Sequence, residues 1–259
     1  MKLDLYQVDA FTNKLFAGNP AAVVPLEEWL DDQTLLNIAA ENNLSETAFF
    51  VKKNDRYSIR WMTPTVEIPL CGHATLASSF VIFNYLEKDS NQIRFDSKSG
   101  ELIVTRDGDL ITLNFPSNKP EKVETPDELI KALGAEPLEV YYNKSYLALL
   151  GSETEVRRIK PDVRLLKSIH SHGLIITAQG ENYDCVSRFF IPSAGIDEDP
   201  VTGFAHTILT PYWSDKLGKK KLKAFQASKR GGEIICEDLG DRVKLSGTAI
   251  LYMKGEIYL

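Results

Sequence analysis

Three ionisable side chains lie beside turns at which acid–base chemistry could take place. His73 follows Gly72 at the predicted start of an apolar helix, and Asp199 precedes a proline in a similar segment further along the chain. Glu46 lies where a predicted strand enters an apolar run. A carboxylate withdrawn from water at such a place suits general acid–base catalysis, and the positive end of the helix favours a neutral imidazole at His73.

The same residues also have structural interpretations, which the residues alone leave open. Glu46 could be a strand-edge residue or a cap, and Asp199 could cap the turn that follows it. Gly72 and Gly203 could serve only the change from strand to helix.

Two predicted helix starts share the pattern Pro-x-x-Gly, ending at Gly72 and at Gly203. The N-terminus of a helix presents unpaired backbone N–H groups and the positive end of the dipole. Glycine lets a ligand approach that backbone closely. Together the two helix starts predict a binding site for an anion such as a carboxylate.

The chain resembles itself at offsets of 128 to 132 residues. IRWMTP resembles SRFFIP, so that Arg60 matches Arg188, and VEIPLCGHA resembles DEDPVTGFA, so that Glu67 matches Glu198. Such a long period exceeds the ~20–50 residues of solenoid repeats. It predicts two similar domains in tandem, with a ligand cleft between them.

The polar, proline-containing segment 116–126 is the predicted linker between these domains. We expect an N-terminal domain over residues 1–117 and a C-terminal domain over residues 118–259. A final strand near residues 249–259 could return to the first domain. The mixture of strands, hairpins and helices predicts an α+β fold.

Local patterns predict several of the elements that position the candidate residues. Apolar spacing predicts helices over residues 26–41 and 72–85. Thr125 is expected to cap a third helix, with Pro126 at its first position. Residues 100–115 are typical of a hairpin.

Composition and charge exclude several classes of protein. The chain has 259 residues and a net charge of −6, so it lacks the basic excess of a nucleic-acid-binding protein. It begins with a strand-like alternation instead of a signal peptide, and its apolar runs are too short to span a membrane. We expect a soluble, cytoplasmic protein without a nucleic-acid or membrane partner.

The motifs of metal and nucleotide sites are missing from the sequence. Cys71, Cys185 and Cys236 form no CxxC motif, and the four histidines form no HExxH motif, so no metal site is predicted. His170 and His172 are expected to be solvated residues near the end of a helix. No phosphate-binding loop or dinucleotide fingerprint occurs, so no cofactor is expected.

Five segments carry a resemblance to a known family, in this order along the chain: VDAFTNKLFAGNPAAVV, NNLSETAFF, TPTVEIPLCGHATL, RFFIPSAGIDEDPVTGFAHT and SKRGGEI. The chain resembles the PhzF-like isomerase family of phenazine biosynthesis. The resemblance implies a diaminopimelate epimerase-like fold, with two pseudo-symmetric α+β domains. Each domain would be a curled mixed or antiparallel sheet around a central helix. It also implies cofactor-independent proton transfer at carbon, and a homodimer.

The resemblance also implies roles for individual residues. The NLSETAF segment assigns the proton-transferring carboxylate to Glu46, CGHAT assigns an assisting histidine to His73, and EDP assigns an assisting aspartate to Asp199. The positions at which the family contacts its substrate correspond to Ser45, Gly72 and Gly203.

Two positions depart from related patterns. The phenazine enzyme is similar to a DPxTGS pattern, whereas Phe204 stands where that serine would lie, so a substrate other than the dihydro-hydroxyanthranilate precursor is expected. Related epimerases use a pair of cysteines, which would correspond here to Cys71 and Thr202. A threonine cannot replace a thiolate base, so we expect both side chains to line the substrate site, with plain packing as the alternative for Cys71.

The sequence thus predicts an isomerase that acts on a small carboxylate, with Glu46 as general base and then general acid. Two alternatives remain open. One is an amino-acid or hydroxy-acid racemase or epimerase in which Cys71 is catalytic. The other is a small-molecule binding protein that keeps the site without turnover.

Overall fold

The computed structural model describes all 259 residues, which form two compact units. The first unit comprises Met1–Asn114 and Ser246–Leu259, and the second comprises Phe115–Leu245. The chain therefore enters the second unit slightly before the expected linker, and its last strand belongs to the first unit. None of the helices is long and apolar enough to cross a membrane.

The chain forms eighteen strands and six α-helices. The strands are β1 (Lys2–Ala10), β2 (Asn19–Leu26), β3 (Thr47–Lys53), β4 (Arg56–Met62), β5 (Glu67–Ile68), β6 (Gln92–Ser97), β7 (Gly100–Asp107), β8 (Leu110–Pro116), β9 (Glu121–Val123), β10 (Glu139–Asn143), β11 (Ser145–Leu149), β12 (Leu174–Ala178), β13 (Cys185–Ile191), β14 (Ile196–Asp199), β15 (Lys221–Gln226), β16 (Gly232–Asp238), β17 (Arg242–Gly247) and β18 (Ala249–Tyr258). The α-helices are α1 (Asp32–Asn42), α2 (Gly72–Val81), α3 (Asp127–Leu133), α4 (Glu153–Arg158), α5 (Val163–Ser168) and α6 (Gly203–Leu217).

The first unit is a mixed sheet with α2 as its buried helix. β1 lies between β18 and β2 and is antiparallel to both. From β2 the sheet continues to β3 in parallel, to β4 antiparallel, to β6 in parallel, and to β7 and β8 antiparallel. Helix α2 packs against β1, β2 and β3 and is buried along most of its length, as expected of a helix without a polar face.

The second unit has the same topology. β10 lies between β9 and β11 and is antiparallel to both. The sheet continues to β12 in parallel, to β13 antiparallel, to β15 in parallel and to β16 antiparallel. Its buried helix is α6. The two halves of the internal repeat therefore fold into the same order of strands, each with one glycine-initiated helix.

Several local predictions need correction. The helix expected from residue 26 begins at Asp32, because the Asp31 side chain caps the helix there. The N-cap of α3 is Pro126 and not Thr125. The predicted linker contains β9, which pairs with β10. These differences arise because capping and edge pairing depend on neighbours that a local pattern does not reveal.

Two other predictions agree with the structure more closely. β7 and β8 form the expected hairpin. The helix predicted over residues 72–85 is α-helical to Val81 and continues as a π-helix over Ile82–Leu86.

Candidate active site

Glu46, Cys71 and His73 form a buried cluster in the first unit. Glu46 Oε2 lies 3.1 Å from His73 Nε2, and Cys71 Sγ lies 3.6 Å from His73 Nδ1. One ligand-type atom of each residue lies within 4.8 Å of the others, and all three residues are buried. The imidazole is therefore held between a carboxylate and a thiol.

The starts of β3 and α2 bring these side chains together. Glu46 directly precedes β3, and its carbonyl accepts the backbone N–H of Ala22 in β2 at 3.2 Å. Cys71 is the N-cap of α2, and His73 is the second residue of that helix. Because α2 packs against β2 and β3, the first turn of the helix meets the residue that enters β3.

The contact between Glu46 and His73 leaves bonding capacity for a ligand. Glu46 Oε2 and His73 Nε2 are 3.1 Å apart, yet neither atom has a well-aligned hydrogen-bond partner in the protein, although both are buried. Buried polar atoms are nearly always satisfied by protein, water or a bound molecule. This pair therefore marks a place at which a polar group of a ligand would bind.

The surroundings of His73 favour its protonated form. Burial disfavours the imidazolium, whereas the charges of Cys71 and Glu46 raise the pKa of His73; while Cys71 is a thiol, the charge that acts on the ring is that of Glu46. This direction is opposite to the neutral imidazole expected from the helix dipole, because a carboxylate in contact stabilises positive charge on the ring. Burial, together with the charge of Glu46, raises the pKa of the Cys71 thiol, which stays protonated near neutral pH.

Helices α2 and α6 lack the side-chain cap and the acidic first-turn residues that usually offset the positive N-terminal end of a helix. Their N-cap residues, Cys71 and Thr202, make no side-chain capping hydrogen bond, and neither first turn contains an acidic residue. Each of the other four α-helices has a capping side chain, acidic residues in its first turn, or both. These two helix starts are thus the most favourable in the chain for an anion.

Asp199 and Thr202 lie together in the second unit, where both are buried. Thr202 Oγ1 donates to Asp199 Oδ2 at 2.5 Å. Gln226 Nε2 donates to Thr202 Oγ1 at 3.1 Å, and Gln226 Oε1 accepts the Thr202 N–H at 2.8 Å. The Asp199 carboxylate therefore contacts the residue that precedes α6, without a side-chain capping hydrogen bond at Thr202, and its assisting role stays a prediction. Gln226 is a buried positioning residue that the sequence did not reveal.

The arginine and glutamate residues that match in the internal repeat form the same ion pair in each unit. Arg60 donates to Glu67 through Nε at 2.9 Å and Nη2 at 2.7 Å. Arg188 donates to Glu198 through Nε at 2.7 Å and Nη2 at 2.8 Å. The hydrogen bonds from Arg60 are the main reason that the pKa of Glu67 falls to about 2. Each pair anchors the short strand that leads to α2 or α6.

Phe204, the second residue of α6, contacts other aromatic rings. Its ring centroid lies 4.8 Å from that of His172, edge to face, and 6.2 Å from that of Phe189. Burial, followed by the charge of Lys144, lowers the pKa of His172. His172 is exposed overall, as expected of a residue after a helix end, but its ring extends the apolar surface of Phe204.

The remaining predicted binding residues lie at the starts of secondary-structure elements. Ser45 is half-buried in the bend before Glu46, and Gly72 and Gly203 are the first residues of α2 and α6. The sequence did not indicate a role for Asn19, whose side-chain Nδ2 lies 3.2 Å from His73 Nδ1. Its GNP segment belongs to the first of the five segments that carry the family resemblance.

The three side chains of the cluster are also of the types that bind zinc, which takes carboxylate, thiolate and imidazole ligands. The Glu46 carboxylate approaches Nε2 of His73, whereas the Cys71 sulfur approaches Nδ1. No single ring nitrogen faces both partners, so one ion could not take all three ligands without rearrangement of the ring. The arrangement suits proton transfer better than chelation.

Known proteins are similar to the chain over its whole length. Residues 8–255 match the sequence model of the PhzC-PhzF family, described as phenazine biosynthesis-like protein. A protein named uncharacterized isomerase from Pseudomonas aeruginosa is 48% identical over 259 residues, and the alignment covers 100% of both chains. Phenazine biosynthesis-like domain-containing protein 2 of Mus musculus is 40% identical, with 99% of both chains covered.

Solved structures support the same assignment. A PhzF family protein from Enterococcus faecalis has a TM-score of 0.98 at 46% identity, with 100% of both chains covered. A hydroxyproline epimerase from Agrobacterium vitis has a TM-score of 0.63 at 9% identity, over 100% of this chain and 93% of that one, and so shares the fold alone. The expected α+β fold of the diaminopimelate epimerase-like type is confirmed. The chain belongs to the phenazine biosynthesis-like family, PhzC-PhzF.

Proposed function

We propose that this protein is an isomerase that moves a proton between carbon atoms of a small carboxylate substrate, without a cofactor. The observation that carries the proposal is the buried pair of Glu46 Oε2 and His73 Nε2, 3.1 Å apart and without well-aligned partners. Membership of a family whose relatives include proteins named isomerases supports it.

Glu46 is the proposed base and then acid. Its carboxylate takes a proton from an acidic carbon: the C–H bond breaks, an O–H bond forms at Glu46, and the electron pair enters the conjugated system of the substrate. The same carboxyl group then returns the proton to another carbon of that system, so the carboxylate is regenerated and nothing is oxidised or reduced. Such catalysis typically contributes about 10²–10⁴-fold.

His73 is the proposed assisting group. As an imidazolium, it lies in contact with the Glu46 carboxylate, with 3.1 Å between Nε2 and Oε2. Its Nε2–H lacks a well-aligned acceptor in the protein, and it can therefore stabilise negative charge that develops on the substrate.

The substrate class follows from the helix starts. The N-termini of α2 and α6 lack both a side-chain cap and acidic residues in the first turn, and such termini bind anions. A carboxylate on the substrate would bind at such a helix start. Beside α6, the rings of Phe204 and His172 favour an apolar part of the ligand over a polar one.

The thiol-based racemase is the weaker alternative. It needs a thiolate, whereas burial raises the pKa of Cys71. Its second base would have to be Thr202, whose hydroxyl donates to Asp199 at 2.5 Å. A binding protein without turnover has no specific observation in its favour.

The proposal is tested by identifying a ligand that co-purifies with the protein, using mass spectrometry after denaturation. The ligand is then incubated with fresh enzyme in deuterated water. We expect a small carboxylate that gains deuterium at carbon and yields a positional isomer. A ligand that binds but never exchanges would support the binding protein, and stereochemical inversion at one carbon would support the racemase.

Other expectations from the sequence stay predictions. They concern substrate contacts by Ser45, Gly72 and Gly203, assistance by Asp199, lining of the site by Cys71 and Thr202, a homodimer and a cytoplasmic location.

A further inference from the structure

Asn19 contacts the side of the His73 ring that faces away from Glu46. Its side-chain Nδ2 lies 3.2 Å from His73 Nδ1, while Glu46 approaches Nε2. Asn19 is fully buried. The bond that one ring nitrogen makes determines which nitrogen carries the proton and how the ring is oriented.

The backbone around Asn19 is held rigidly. Gly18 has a positive φ of 65°, and a Cβ added there would lie 2.2 Å from the carbonyl oxygen of Ala10, so only glycine fits this turn. Pro20 restricts the residue before it to extended conformations. Asn19 also pairs with Ala10 across β1 and β2. The segment Gly18-Asn19-Pro20 therefore presents the amide from a fixed backbone.

The packing of β2 on α2 directs this amide toward the site. Asn19 begins β2, His73 lies in the first turn of α2, and the two elements pack against each other. A fixed strand end and a buried helix start leave the imidazole little freedom to turn.

We infer that Asn19 is a positioning residue of the Glu46–His73 pair: it holds the imidazole so that Nε2, with its proton, faces Glu46. The inference rests on the proposed function for its consequence in catalysis. The tautomer and the orientation of the His73 ring can be measured without catalytic turnover.

The amide is suited to this position because it can serve both protonation states. Its NH₂ group donates to Nδ1 of a neutral ring, and its oxygen can accept from Nδ1–H of an imidazolium if the amide turns. A carboxylate at the same place could only accept, and a leucine could do neither. Asn19→Asp and Asn19→Leu keep the number and branching of the side-chain heavy atoms, and they therefore separate the roles of donor and acceptor from the presence of a side chain.

Other titratable groups must be considered when the titration of His73 is interpreted. Glu46 and Cys71 are the titratable groups in contact with it. On β1, the buried Asp9 carboxylate accepts the backbone N–H of Phe16 at 3.1 Å. These groups are unchanged in both Asn19 variants, so a difference between the variants reports on the amide.

His206 provides an internal reference in the same chain. Its Nδ1 lies 2.8 Å from the carbonyl oxygen of Thr202, so Nδ1 carries the proton when the ring is neutral. We therefore expect opposite neutral tautomers for the two buried histidines: Nε2–H for His73 and Nδ1–H for His206.

The experiment is ¹⁵N NMR of protein labelled at histidine, recorded across pH, with single substitutions to assign the four rings. In the wild type we expect the neutral form of His73 to carry its proton on Nε2. Asn19→Asp should raise the pKa of His73 by about one unit or more, because an acceptor faces Nδ1. Asn19→Leu should leave a mixture of the two neutral tautomers. His206 should be unchanged in both variants.

A neutral His73 with its proton on Nδ1 in the wild type would overturn the inference, and this measurement requires no variant to fold. Unchanged titration and tautomer in both folded variants would overturn it too, because Asn19 would then only fill space. Absence of deuterium exchange in the wild type would instead contradict the proposed function. The NMR result on Asn19 and His73 would still hold.

Discussion

Glu46 Oε2 and His73 Nε2 lie 3.1 Å apart at the starts of β3 and α2, and neither atom has a well-aligned partner in the protein. Polar atoms left partly unsatisfied in the interior are costly for stability. The cost is understandable if both atoms bind a substrate.

Replacement of Cys71 by alanine separates proton transfer by Glu46 from thiol-based racemisation. The buried thiol has a raised pKa and is a poor base near neutral pH. We expect Cys71→Ala to keep deuterium exchange within about tenfold of the wild type, since a true base contributes about 10²–10⁴-fold. Cys236→Ala, at another buried cysteine, is the matched control. Loss of about a thousandfold in Cys71→Ala alone would favour the racemase.

His206 should make the protein sensitive to acid. Burial lowers its pKa to about 4, below the value of about 6.5 in an unfolded chain. The unfolded chain therefore binds more protons between these values, and stability is full above about pH 6.5 and declines as the pH falls through 4. His206→Asn keeps a donor near the position of Nδ1. This variant should lose about 2–3 kcal/mol less of its free energy of unfolding on acidification than the wild type.

The measurement for His206 is urea unfolding at pH 7 and pH 4, with His170→Asn as the control because His170 is exposed. Equal acid sensitivity of the wild type and His206→Asn would show that the buried ring is not the group responsible.

Replacement of arginine by lysine should affect the two repeated ion pairs unequally. Arg188 also donates through Nη1 to the carbonyl oxygens of Val156 at 3.2 Å and Ile159 at 2.6 Å. Lysine cannot form this set of bonds, so Arg188→Lys should lower the free energy of unfolding by about 2–4 kcal/mol.

Arg60→Lys is the matched comparison and should cost about 1–2 kcal/mol. Its second acidic partner, Asp32, is mostly exposed, and Lys98 remains to pair with Glu67. Urea unfolding at neutral pH measures both variants, and an equal or reversed order would contradict this account of the anchoring.

The sequence predicted the α+β class and the location of the candidate residues better than it predicted their contacts. Turn patterns around Glu46 and His73 were enough to mark them, because glycine, proline and apolar runs act locally. The matching of Arg60 with Arg188 indicated the repeat, but the ion pairs with Glu67 and Glu198 became visible only in the fold.

The features that the sequence did not predict depend mainly on contacts between segments that are distant along the chain. The contact of Asn19 with His73 depends on the packing of β2 against α2, which no local pattern specifies. The expectation of a neutral His73 considered the helix dipole alone, whereas Cys71, two residues earlier, and Glu46, a tertiary neighbour, both raise the pKa of the ring. The start of α1 was misplaced because the apolar spacing continues through residues that precede the Asp31 cap.

The most direct test of the proposed function is deuterium exchange by Glu46→Gln. The protein is incubated in deuterated water with the carboxylate that co-purifies with it, and deuterium at carbon is followed by NMR. Glu41→Gln, at an exposed glutamate of α1, is the matched control. We expect exchange by folded Glu46→Gln to be slower by about 10²–10⁴-fold, with full activity in the control. Exchange at the wild-type rate by folded Glu46→Gln would contradict the assignment of Glu46 as the group that carries the proton.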